Sequence, residues 1–332
     1  MKYNYLLFTV ILALFFSCRQ PAKYIYNEGR IYGTYYHIVY EHPNGEDIHS
    51  EIQKKLNEYN KIFSTFDSTS IISKINNNKP VEPDEIFLKC YNRSMEISAL
   101  TGGAFDITAG PMVNAWGFGP EDKTKMTPEK IDSLKSITGY TKVHLVNEQI
   151  EKEKPEMKLD MNAIAKGFTS DLIGDFLLKA GCENFMVEIG GEVVARGINE
   201  KGRTWTIGIS KPEETVLFAS NELQAKVQLP DNALATSGNY RNFYVEDGKK
   251  YAHTIDPKTG FPVQHSLLSA TVIADNCMDA DAFATAFMVL GLEKSIEISE
   301  KDPKLKVYFI YAGEDGENRI YFSPNFEEHL VP

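Results

Sequence analysis

The run MDADAFATAFMVLG, Met278 to Gly291, constrains the fold more than any other segment, because it is apolar on almost every side yet keeps a helical period. Phe283, Ala286, Phe287 and Leu290 recur at three- and four-residue intervals, which predicts a helix buried inside a core rather than lying on a surface. Asp279, Asp281 and Thr285 interrupt the apolar run, and Asp281 and Thr285 stand four residues apart, on one flank. Two readings stay open on these residues alone. The aspartates favour the positive end of the helix dipole while Thr285 is tolerated in the interior, or one flank packs while another presents oxygens to a ligand.

A buried helix needs a large core around it, and 332 residues supply one without help from disulfides. Helical periodicity returns over Ile48 to Phe63, over Pro83 to Leu100 with Pro83-Asp84 as a start signal and Gly102-Gly103 as a stop, and over Ala163 to Ala180 before Gly181. A shorter helix is expected from Pro128 to Thr138. Strand-like runs fall at Tyr32 to Tyr40, Asn184 to Ile189, Glu192 to Arg196 and Thr204 to Ser210. Helices and strands are mixed, with no repeat and no long linker, so the expectation is one continuous α+β domain.

The first residues read differently. MKYNYLLFTVILALFFSC places a lysine before an apolar run that is too short for a comfortable membrane span, and closes it with Ser17-Cys18. This predicts a signal peptide over 1–17, and the terminal cysteine resembles a bacterial lipobox in which Cys18 carries lipid. Ordinary cleavage near Ser17 is the alternative. Residues 18–29 then form a polar tether, the ordered structure starts between Tyr24 and Arg30, and the functional domain occupies 30–332. Cys90, Cys182 and Cys277 remain, an odd number at irregular spacing, and read as buried small hydrophobes. A net charge of −11 with no basic stripe argues against a nucleic-acid partner.

Chemistry-bearing residues gather in polar islands: Phe63 to Asn76, Gly102 to Gly119, Leu159 to Ile173, and the pair ALATSGNYRNFY and YAHTIDPKTGFPVQHS. Either Asp160 and Asn162 cap the helix opening near Ala163 and Lys166 is a solvated first-turn charge, or the free N–H groups of that helix start and the lysine form an anion site. No P-loop and no GxGxxG fingerprint is present, so a phosphate-bearing ligand would be held another way. Mg²⁺ is one, since it takes few protein carboxylates and completes its shell with phosphates and water. His253 and Asp256 lie beside a turn, where the histidine either takes a proton from a hydroxyl or simply bonds Asp256 or the turn backbone.

In series, GGAFDITAGPMVNAWGFG, DMNAIAKGF, ATSGNY, HTIDPKTGFPV and MDADAFATAF resemble the FAD:protein FMN transferase family, the ApbE-type flavin transferases, over about Gly33 to Leu290. The resemblance implies an α+β fold around a central FAD cleft. It implies Mg²⁺ coordination by Asp281, Thr285 and the backbone carbonyl of Ala163. FAD contacts are implied for Ala104, Phe105, Asp106, Asp160, Lys166 and Ile255, joined by Tyr32 and Phe66 at the mouth. By the same resemblance a Thr or Ser hydroxyl of an exported redox protein attacks the FMN-side phosphorus of FAD and AMP leaves. His253, oriented by Asp256, is the candidate base. Family members are often exported lipoproteins, which places the chain in the bacterial cell envelope, periplasm-facing and anchored through Cys18. The alternatives are FAD hydrolysis to FMN and AMP, and a non-catalytic flavin carrier.

Overall fold

A computed structural model describes residues 24–119, 123–212, 222–239, 243–246 and 249–331. The expected signal segment and Cys18 lie outside these residues, as does part of the ATSGNY island. The organising element is an eight-stranded sheet in which every neighbouring pair is antiparallel. Across it run β1 (Tyr24–Ile31), β2 (Thr34–Glu41), β5 (Phe185–Ile189), β6 (Glu192–Arg196), β9 (Ala233–Gly238), β12 (Leu267–Ala274), β13 (Lys306–Ala312) and β14 (Asn318–Phe322). Two-stranded ribbons are made by β3 (Val143–Val146) with β4 (Gln149–Lys152), β7 (Thr206–Ser210) with β8 (Leu223–Gln228), and β10 (Phe243–Glu246) with β11 (Lys249–Ala252). The described helices are α1 (His49–Phe63), α2 (Ile71–Asn76), α3 (Glu85–Leu100), α4 (Gly110–Ala115), α5 (Pro128–Ser136), α6 (Ala165–Lys179), α7 (Cys277–Leu290) and α8 (Leu292–Lys301).

Side chains alternate across the sheet, and both faces are covered. Ala270 and Val272 of β12 join one core with Phe168 of α6 and Phe283 and Phe287 of α7. Ile273 of the same strand points the other way, into a core with Trp205, Ile209, Val227 and Phe326. That double burial explains why LLSATVIA is a nearly continuous apolar run rather than an alternating one. The helix expected at Met278 to Gly291 is α7, and it lies within the larger core. Its start is fixed twice: the Asn276 side chain accepts the Asp279 amide, and the Asp171 carboxylate accepts the amides of Cys277 and Met278. Arg93 of α3 grips Asp279 through two bonds of 2.7 and 2.9 Å.

Differences from the expectations are local. The run Tyr32 to Tyr40 is not one strand, because Tyr32 and Gly33 turn in the left-handed region (φ 53° and 73°) and fold β1 back on β2. Strand β1 starts at Tyr24, so residues 24–29 of the expected tether belong to the sheet. Tyr24 and Tyr26 sit opposite Glu41 and Val39 there, and sheet pairing rather than local polarity decides the conformation. Helix α6 begins at Ala165 rather than Ala163, since Met161 already accepts the amides of Ile164 and Ala165 in a preceding turn. Cys90, Cys182 and Cys277 are buried and unlinked, as expected.

Candidate active site

A cleft of about 870 Å³ opens between the segment 104–119, the turn before α6, the carboxyl end of β9, the 253–257 turn and one flank of α7. It lies near the upper end of small-molecule sites. Phe66, Ala104, Phe105, Asp106, Asp160, Ala163, Lys166, His253, Ile255, Asp281 and Thr285 all line it. Tyr32 and Asp256 do not.

The charged wall is built by packing. Gly167, in the first turn of α6, lets α7 approach so closely that a Cβ there would collide with the Cys277 carbonyl and the Asp281 side chain. Its amide donates to Asp281 Oδ2 at 3.0 Å. Asp281 is 2 % exposed, and Lys166 Nζ lies 3.7 Å from its Oδ1. The same ammonium is 3.0 Å from Glu192 Oε1. Burial raises the Asp281 carboxyl above the usual range, with Lys166 and the Gly167 amide pulling it down. Burial likewise pushes Glu192 up to about 7, against the attraction of Lys166 and with Asp281 adding repulsion. Burial opposes the charge on Lys166, but Asp281 and then Glu192 more than reverse this and hold it protonated. The reading of Lys166 as a solvated first-turn charge is therefore overturned.

One helical turn along α7, Thr285 Oγ1 meets Ser237 Oγ of β9 at 3.2 Å. Among the described residues no three His, Cys, Asp or Glu side chains form a metal-holding group. A carboxylate, hydroxyls and a nearby backbone carbonyl make a partial set of hard oxygen ligands, which is how Mg²⁺ is commonly held when phosphates and water complete its shell. The donor set fits Mg²⁺, with Asp281, Thr285 and Ala163 as the residues that would hold it.

The remaining residues divide between lining and bracing. Asp106 spends its carboxylate on its own loop: Oδ1 accepts the Thr108 amide and hydroxyl, and Oδ2 accepts the Tyr140 amide. Asp160 Oδ1 accepts the Asn162 amide, so the pair shapes the turn before α6 and does not cap the helix. Phe66 stands 77 % exposed at the rim. His253 is edge-on to Phe118, with ring centroids 6.3 Å apart, and both line the cleft. Asp256 Oδ1 accepts the Lys258 amide inside the turn, and its backbone bonds Phe261 and Gly260. One oxygen of the carboxylate thus braces the Asp-Pro-Lys-Thr-Gly turn. Tyr32, held in the β1–β2 turn, donates its hydroxyl to the Leu56 carbonyl away from the cleft.

Sequence reasoning missed Glu192, Ser237 and Asn76. Strand periodicity alone gives Glu192 no role, although a carboxylate directly after Gly190-Gly191 in an apolar strand is a signal of its own. Asn76 lines the cleft and clamps Leu159, donating to its carbonyl at 2.8 Å and accepting its amide at 2.7 Å. That clamp fixes the chain immediately before Asp160.

An antiparallel α+β fold whose cleft combines a lysine-bridged carboxylate pair, aromatic rings and a histidine defines an enzyme-type site for a large ligand. The chain belongs to the ApbE family, whose model matches residues 32–309. It is similar to the FAD:protein FMN transferase of Vibrio cholerae, 35 % identical over 98 % of this chain and 99 % of that one. It is also similar to that of Haemophilus influenzae, 37 % identical over 90 % of each chain. Among solved structures it matches the flavin transferase ApbE from Vibrio cholerae with a TM-score of 0.84 and 35 % identity, covering 93 % of this chain and 100 % of that chain. The flavinyl transferase ApbE of Pseudomonas stutzeri matches with a TM-score of 0.83 and 30 % identity, covering 94 % and 98 %.

Proposed function

We propose that this chain transfers the FMN part of FAD to a Thr or Ser hydroxyl of an acceptor protein, forming a phosphoester and releasing AMP. The observation that carries this reading is the placement of His253 and the Asp281–Thr285 flank on the walls of one cleft, in a chain of the ApbE family. The acceptor oxygen attacks the FMN-side phosphorus, the bond to the AMP phosphate breaks, and His253 takes the hydroxyl proton. Lys166 adds positive charge beside the pyrophosphate, while Phe66, Phe105 and Ile255 give apolar surface to the rings. Asp281, Thr285 and the Ala163 carbonyl would hold Mg²⁺, which would offset charge on the pyrophosphate.

Incubation with FAD, Mg²⁺ and a candidate exported acceptor tests this. A covalent fluorescent band on the acceptor is expected. FMN and AMP released as fast without acceptor would make the chain a hydrolase, and FAD bound but unchanged would make it a carrier.

Lipid on Cys18 anchors the domain at the periplasmic face of a membrane in this proposal. Among the described residues no helix is long and apolar enough to cross a bilayer. Cys18→Ser is expected to release the protein from membranes and leave its transferase rate unchanged. A serine variant that resisted high-salt washing would sink the anchor.

A further inference from the structure

Glu192 opens β6 directly after Gly190 and Gly191, and its side chain is 7 % exposed on the cleft wall. Its position is set by the backbone. Gly190 adopts a left-handed φ of 68°, and a Cβ there would stand 3.2 Å from Glu192 Oε2 and 2.9 Å from Thr34, so the turn that aims the carboxylate requires glycine. Ser170 Oγ donates to the carbonyls of both Glu192 and Lys166, at 3.1 and 3.2 Å, and locks β6 to the first turn of α6. From these fixed bases Lys166 reaches across the wall to Glu192 Oε1 at 3.0 Å and stays 3.7 Å from Asp281 Oδ1. Glu192 Oε2 is buried without a hydrogen-bond partner.

A buried ammonium settles on the nearest anion, because leaving it unpaired in a poorly solvated wall is costly. Lys166 has two anions within reach and lies closer to Glu192. Were residue 192 uncharged, Asp281 would become its partner, and the lysine would close onto Oδ1, the oxygen not bonded to the Gly167 amide.

We propose that Glu192 is a positioning residue that draws Lys166 away from Asp281 and so keeps Asp281 Oδ1 available to a divalent cation. This rests on the Mg²⁺ reading above. In this proposal Glu192 acts through the lysine. Its loss therefore converts Lys166 into an internal competitor of the metal.

A double-mutant cycle read by metal binding tests the inference. Mn²⁺ is titrated into the FAD-loaded protein and the unbound ion is counted by electron paramagnetic resonance. Glu192→Gln is expected to weaken Mn²⁺ binding at least tenfold. In a Lys166→Met background the same change should cost threefold or less, since the competitor is gone. A loss of equal size in both backgrounds, or no loss in either, overturns the proposal. If Glu192→Gln does not fold, as judged by its melting curve, Glu192→Asp replaces it. The shorter acid must then lose affinity with Lys166 present and lose less than half as much without it; any other pattern overturns the proposal. Asp281→Asn separates the metal site from the role of Glu192. Wild-type Mn²⁺ affinity in Asp281→Asn would sink the Mg²⁺ reading, whereas weak binding there with wild-type affinity in Glu192→Gln would sink only the role of Glu192.

Discussion

The Gly167 amide donates to Asp281 Oδ2 at 3.0 Å, so the first turn of α6 and the flank of α7 share one hydrogen bond at the floor of the cleft. The bond exists because residue 167 has no side chain. Gly167→Ala is expected to push the helices apart, overpacking the contact at a cost of about 1–3 kcal/mol, and to weaken Mn²⁺ binding by moving Asp281. Urea unfolding together with a Mn²⁺ titration checks both. An alanine variant with unchanged stability and affinity would show that the helices adjust without disturbing the site.

Asp281→Asn separates charge from shape. The amide keeps an acceptor for the Gly167 N–H but removes the charge offered to the metal. Transfer at limiting Mg²⁺ is expected to fall by about two orders of magnitude or more. Stability should not fall with it, because burial has raised the Asp281 carboxyl and the fold already disfavours its ionised form. Wild-type turnover in this variant would remove Asp281 from the site.

Much of this arrangement was legible in the sequence where local rules and tertiary structure agree. The start of α3 at Asp84, the extent of β6 and the burial of α7 follow from capping, alternation and helical period. Asp281 and Thr285 share a flank for the simple reason that they are four residues apart. What was not legible depends on residues distant in sequence. The partner of Lys166 lies 26 positions away at Glu192, and no spacing rule connects a helix start to a strand start. Closeness in sequence suggests Asp256 as a partner for His253, but it does not show that Asp256 Oδ1 also braces the turn by accepting the Lys258 amide. Tyr32 read as part of a strand because tyrosine rarely occupies the left-handed region, and only the β1–β2 pairing imposes that conformation.

Asp171 gives the chain a pH-dependent stability. Burial pushes its carboxyl from 3.8 up to about 7, and the amides of Cys277 and Met278 pull it only partly back. The folded state thus holds a proton that the unfolded chain has released above about pH 4. Its contribution is greatest in acid and is lost as pH rises through about 7. Asp171→Asn has no such proton to lose. With metal chelated, the unfolding free energy of the variant relative to wild type should move in the variant's favour between pH 5 and pH 8. The slope should be about 1.4 kcal/mol for each pH unit over which only the folded wild type keeps the proton. A difference that stayed constant across that range would mean that Asp171 titrates normally.

His253 is the residue on which chemistry and binding should part. It lines the cleft beside Phe118, while most of the groups argued to hold FAD lie on other elements, among them Lys166 in α6, Phe105 in the loop before α4, and Asp281 in α7, with Ile255 sharing its turn. A general base acts on the incoming hydroxyl and contributes typically about 10²–10⁴-fold. His253→Ala should therefore slow single-turnover transfer by about that factor while FAD affinity, read by flavin fluorescence, changes less than about threefold. Asp256→Asn supplies the contrast. Since Asp256 Oδ1 accepts the Lys258 amide, its loss should loosen the 256–260 turn and lower the melting temperature, with a much smaller effect on the rate once folded protein is counted. Equal losses of rate and FAD affinity in His253→Ala would make the histidine a ligand-holding residue. A rate loss in Asp256→Asn as large as that of His253→Ala would make the aspartate its partner in the reacting complex.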